Sequence, residues 1–215
     1  MGRVHGRAVA PLNRAMRDNC GMQTTGQPLG LRERKKLKTR QAIRREAIRL
    51  IEENGYAATT VEQIAEAAEV SPSTFFRYFP SKESVLLADD LDPLILDAYA
   101  QQPPELSPIQ AFRGAYAAVM ANMSEEQREF ETRRQRLIFS IPELKAALYD
   151  EYLRTVTVIA EAVSRRIGRD PSDFDIRVLA GAATGAMMAA SDGGPVTPEL
   201  ALRVMDFIEA GMPLR

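Results

Sequence analysis

Cysteine and histidine each occur only once in this chain of 215 residues, as Cys20 and His5. A lone cysteine excludes an intrachain disulfide and makes a reducing compartment the default. A lone histidine, in a stretch that reads as unstructured, removes the His-based triad, the His-ligated zinc and the His general base of a folded active site. No apolar run approaches the length of a membrane span, and no signal-type apolar core follows the early arginines. The chain therefore reads as a soluble, cytoplasmic protein that is not an enzyme, with no catalytic residue, metal or cofactor indicated.

Charge is present but unevenly placed. The formal net charge of −1 hides a division. Residues 1–88 hold 15 Lys/Arg against 9 Asp/Glu, a net of +6; residues 89–215 hold 13 against 20, a net of −7. A split of that size implies two parts with different partners, and only the basic part suits phosphate.

Residues 1–30 mix Gly, Pro, Gln and Thr without an apolar period, and are expected to be a disordered extension or to lie upstream of a start at Met16 or Met22. From Leu31 the pattern is helical: Ile43, Ala47, Leu50 and Ile51 share a face and Gly55 closes the helix. Thr60 and Gln63 have capping-box spacing ahead of a short helix with Val61, Ile64, Ala65 and Ala68 inward. Ser71-Pro72 is the N-cap and first-turn preference in sequence, opening a third helix to about Phe79. A fourth is expected from Ser81 to about Tyr99. Later helices are expected after Ser107-Pro108, Glu125, Pro142, Pro171 and Thr197-Pro198. The fold class is all-α with about nine helices. Residues 31–88 form an N-terminal three-helix helix-turn-helix unit, and residues 89–215 a second helical domain.

In a helix-turn-helix the third helix here would enter the DNA major groove by its N-terminal end. Phe75 and Phe79, at i and i+4, would anchor it. Ser73, Thr74, Phe76 and Arg77 would then face outward, with side chains suited to base edges and thymine methyls. Arg77 has three candidate partners: a guanine edge, a phosphate or Glu83. Ser71 and Pro72 open that helix. Tyr78, Thr60 at the second helix N-terminus, and Ser81-Lys82 suit phosphate oxygens. Lys38 belongs to a basic tract, Arg32 to Arg40, that is either an arm across the backbone or a solvated helix face.

The run GYAATTVEQIAEAAEVSPSTFFRYFPSKESVL carries Gly55, Thr59-Thr60, Ile64-Ala65, Val70-Ser71, Thr74-Phe75, Tyr78-Phe79 and Lys82 at the spacing of the tetracycline-repressor (TetR) family, which residues 36–88 resemble. Two positions depart from it. Glu69 stands where many members have Gly in the turn, and Phe76 where many have Tyr. The resemblance implies a homodimer on an inverted-repeat operator, with ligand binding and dimerisation in the second domain. It also implies repression relieved by an effector, and a faint likeness to actinobacterial regulators of fatty-acyl or lipidic effectors. Small residues on one helix, among them Ala182, Gly185, Ala186 and Ala189, suit close approach of a partner helix, with Met205 on the last helix beside them. Phe112, Tyr116, Met120, Tyr152 and Met187 fall at helical spacing or in adaptable positions, and are the candidates to meet an apolar ligand. Arg133, Arg134 and Arg136 would meet an anionic head group or water. The alternative is a non-specific architectural DNA binder using the same basic surface; double-stranded DNA is the partner in either case, and no membrane is involved.

Overall fold

Local capping chemistry sets the helix boundaries in the computed structural model, which describes residues 30–214. The expected extension, Cys20 and His5 lie outside the described residues. Helix α1 (Leu31–Asn54) ends at Gly55, whose φ of +84° is open to glycine without strain. Thr60 caps α2 (Val61–Ala67): its hydroxyl accepts from the Gln63 N–H while the Gln63 side-chain oxygen accepts from the Thr60 N–H. Ser71 caps α3 (Pro72–Tyr78), accepting from the Thr74 N–H, with Pro72 in the first turn.

The turn between α2 and α3 has a cost. Glu69 sits at φ +53°, in the left-handed region that favours glycine. Glu69→Gly is expected to raise the unfolding free energy by about 0.5–1 kcal/mol, strain relief less glycine's larger entropy loss. A shift in urea midpoint at unchanged slope would register it.

Packing then makes one small core from these helices. Ile43 and Ala47 of α1, Ile64 and Ala65 of α2, and Phe75 and Phe79 around α3 close on Val85 of α4 (Lys82–Leu87). The expected single helix from Ser81 to Tyr99 is in fact two, α4 and α5 (Asp92–Ala100). The Asp89 carboxylate accepts the Leu91 N–H at 2.8 Å, a local side-chain bond that competes with the helix ladder. This break is why the described residues hold ten helices rather than about nine.

The remaining helices are α6 (Pro108–Ala121), α7 (Glu125–Ser140), α8 (Pro142–Ile167), α9 (Phe174–Ser191) and α10 (Pro198–Glu209). Capping boxes from Ser107 and Ser124 open α6 and α7, and Gly168 at φ +69° ends α8. Their core joins Tyr99 of α5, Ala111, Ala115 and Val119 of α6, Val156, Ala160 and Val163 of α8, and Ile176 and Ala180 of α9. A third cluster welds the two parts: Ile48 and Ile51 of α1, Leu86 of α4, Ile138 of α7, and Ile141 and Leu144 at the start of α8.

Candidate functional site

Helix α3 is held from one side only. Phe75 and Phe79 are 0% and 1% exposed, while Phe76 between them is 51% exposed. Phe75 meets Phe76 edge-on at 5.5 Å and Phe79 at 6.1 Å between ring centroids, so the inner rings fix the backbone that presents the outer face. Ser71, Pro72, Ser73 and Arg77 are exposed, and Thr74 is half-buried with its hydroxyl accepting from Ser71 at 3.0 Å. The Arg77 guanidinium lies 5.5 Å from the ring of Tyr78, which is half-buried against the small core. Glu83 accepts the Tyr56 hydroxyl at 2.7 Å, and the structure contains no Arg77–Glu83 pair among the described residues. Thr60 and Lys38 are exposed.

Lys82, a candidate phosphate ligand, also has partners within the protein. Its ammonium donates to the Tyr56 carbonyl at 2.7 Å and the Thr59 carbonyl at 3.0 Å, and lies 4.0 Å from the Tyr56 ring. Two of its three hydrogens therefore tie the α1–α2 loop to the start of α4. Thr59, which is buried, completes the tie by donating to the Gly55 and Leu50 carbonyls.

Behind the small core, a chain of charges crosses the break between α4 and α5. Asp90 accepts from Arg40 at 3.0 Å and from Arg44, both on α1. Arg44 also donates to the Ala88 carbonyl and lies 3.7 Å from Glu131 of α7. Glu131 in turn accepts from Arg134 at 2.6 Å, and Arg134 donates to Asp89 at 2.8 Å and to the Leu86 carbonyl at 2.9 Å. Burial alone would raise the Asp89 carboxyl; Arg134, the Leu91 N–H and Arg44 overcome it and hold Asp89 low. At Glu131 burial prevails and its pKa is raised despite Arg134. Arg134 was expected at an anionic head group or in water. It is instead a buried strut, because three of its N–H groups are already engaged.

The same break borders a cavity of about 360 Å³ enclosed by α5 to α10. Of the candidate ligand residues, Phe112, Tyr116 and Met187 line it. Met120 and Tyr152 do not. Met120 packs against the large core, and Tyr152 lies beneath α9, its hydroxyl donating to the Gly181 carbonyl at 3.4 Å. Met205, expected at a dimer face, also lines the cavity. Among the small residues of α9, Gly185 lies 4.0 Å from the Tyr152 ring where a Cβ would stand, so part of that pattern serves intrachain packing. Ala182 and Ala186 are half-buried and Ala189 exposed, near the uncovered apolar side chains Val178, Met188 and Phe207 of α9 and α10. Asp89, Asp92, Arg134 and Glu151 also line the cavity, and of these the sequence pattern points only to Arg134.

Among the described residues no cluster of His, Cys, Asp and Glu could hold a metal ion, and no helix is long and apolar enough to cross a membrane. Comparison with known proteins adds identity. The family described as "Bacterial regulatory proteins, tetR family" matches residues 43–88, and "MftR C-terminal domain" matches residues 106–213. The transcriptional regulator TcmR of Streptomyces glaucescens is 37% identical over 172 residues, 76% of this chain and 74% of that protein. MftR of Mycobacterium tuberculosis, named for mycofactocin biosynthesis, is 31% identical over 151 residues, 67% of this chain and 73% of that one. EthR of Mycolicibacterium smegmatis is 48% identical over 54 residues, 25% of this chain and 24% of its own. With its helix-turn-helix, its all-α body and these relatives, the chain belongs to the tetR family of homodimeric, ligand-responsive, DNA-binding transcriptional regulators.

Proposed function

We propose that the protein is a repressor that binds an inverted-repeat operator through α3 and is released when a small apolar effector enters the cavity between α5 and α10. The supporting observation is the one-sided burial of α3: two sealed phenylalanines inside, and Ser73, Phe76 and Arg77 uncovered outside. Thr74 and Tyr78 on the same helix, and the exposed Thr60 and Lys38, suit phosphate or base-edge contacts. The basic reading unit is residues 31–88 and the sensing body follows it. Two copies joined through the outer face of α9 and α10, with Ala182, Ala186 and Ala189 at the contact, would set two reading helices about 34 Å apart on one side of DNA.

Release is a population shift. An effector acts only by binding the wide and narrow spacings of the reading helices with different affinity. The charged break beside the cavity supports a direct route, because Asp89 faces the cavity while Asp90 holds Arg40 and Arg44 of α1. The apolar walls suit an aliphatic or aromatic body, lipidic ones included.

The test is a titration of the full chain against a selected inverted repeat and against random duplex at several salt concentrations. The repeat is expected to bind at least about 10³-fold more tightly at physiological salt. Equal affinities at every salt would replace this reading with the non-specific architectural one. Arg77→Ala is expected to cost about 1–3 kcal/mol on the selected repeat and to relax preference at one position per half-site.

A further inference from the structure

We propose that the cavity selects an apolar molecule bearing a protonated amine, seated at the Asp92–Glu151 end, over the matching carboxylate. This rests on the cavity being the effector site. Its volume of about 360 Å³ falls within the range of small-molecule sites, roughly 300–1,000 Å³, and most of its wall is apolar.

The charged groups on that wall are unequal in number and in availability. Three are carboxylates, Asp89, Asp92 and Glu151, and one is a guanidinium, Arg134. Arg134 is consumed: Glu131, Asp89 and the Leu86 carbonyl hold its three nitrogens in a buried setting. An incoming anion would find only the second hydrogens of its two terminal nitrogens, beside carboxylates that already neutralise the charge and would repel it. Glu151 is paired with Arg154 of its own helix, whose side chain is largely exposed, so the pair is weakly held.

Asp92, in the first turn of α5, makes no hydrogen bond or ion pair among the described residues. It is solvent-accessible while lining the cavity. A carboxyl in that position lacks a counter-ion and faces the volume a ligand would fill. An ammonium supplies that counter-ion and up to three donors, and a carboxylate supplies repulsion.

The titration of Asp92 agrees with this. The dense protein around it first, then the charges of Asp89 and Glu151, push its pKa up to about 7, while Arg134 and Arg154 pull it the other way. Part of its surface stays open to solvent, which weakens the effect. The folded protein thus favours the neutral form as pH falls below 7. A bound ammonium favours the ionised form, so amine affinity should increase as pH rises through 7.

The experiment compares three ten-carbon probes below their micellar concentrations: decylamine, 1-decanol and decanoate. Each is titrated calorimetrically into the full chain. Decylamine is expected to bind at least about tenfold more tightly than decanoate, with decanol between. Its affinity should rise from pH 6 to pH 8, by up to about tenfold, and Asp92→Asn should collapse both the pH dependence and the amine preference. Decanoate binding as tightly as decylamine, or more tightly, overturns the proposal. A third result, no binding by any of the three, decanol included, overturns the effector-cavity reading itself and the proposal with it.

Discussion

Asp90→Ala is expected to lower the unfolding free energy by about 3 kcal/mol, the low end of the range for removing one partner of a buried ion pair. The low end applies because Asp90 is partly exposed and Arg44 keeps Glu131 at 3.7 Å and the Ala88 carbonyl. The effect should exceed that of any exposed pair such as Arg49–Glu53, for which about 0.3–0.5 kcal/mol is typical. What the substitution strands is the charge of Arg44, whose side chain is 3% exposed and whose Nε already lacks a partner. A double variant, Arg44→Met with Asp90→Ala, should recover much of the loss, since an apolar side chain of similar length leaves no buried charge behind. Thermal or urea unfolding measures both. The single variant should also blunt effector response at temperatures where it remains folded. If Asp90→Ala unfolds like the parent, the break between α4 and α5 is not held by this ion pair.

Phe75→Ala is expected to cost about 3–5 kcal/mol. The ring is wholly buried among Ile43, Ala47, Ile64, Ala65 and Phe79, and its removal leaves a cavity in the core of the helix-turn-helix unit. That core contains the helix whose exposed face is proposed to read DNA, so operator binding should vanish. The large core around Tyr99, Val119 and Ala180 shares no residue with it. The dimer should therefore survive in sedimentation experiments while anisotropy with the operator falls to background. Phe76→Ala, one residue along and largely exposed, should leave stability nearly unchanged and weaken DNA binding alone.

Much of the architecture can be read before folding is considered, because helix ends are written locally. Thr60 with Gln63, Ser71 with Pro72 and Gly55 after α1 each state a boundary within four residues, and each boundary is where they put it. The inward pair Phe75 and Phe79 follows from helical period, as does the positive φ at Glu69 from the turn it occupies. The break at residues 88–91 is not legible locally, for the opposite reason. KESVLLADDLDPLI contains good helix formers, and the arginines that draw Asp89 and Asp90 aside are more than forty residues distant in sequence. Lys82 presents the same difficulty on a shorter scale. Nothing near it in sequence reveals that the Tyr56 and Thr59 carbonyls are waiting for its ammonium.

The sensing body is less legible still. A stripe at helical spacing does not say whether its side chains meet a neighbour or an empty volume, so Phe112 and Tyr116 reach the cavity while Met120 and Tyr152 go to packing. The acidic groups at the cavity end come from the α4–α5 joint, α5 and α8, and only the folded chain brings them together with Arg134.

A continuous rod between the two halves would pass on displacement along its axis and resist everything else. The interruption after Leu87 makes the connection a knuckle instead, stiff only as far as Arg40, Arg44 and Arg134 grip it. Its stiffness is therefore set by a few side chains, and one of them, Arg44, lies outside both the proposed reading face and the cavity wall. Exchanging Arg44 would retune how strongly sensing is felt at the DNA while leaving both proposed binding surfaces as they were.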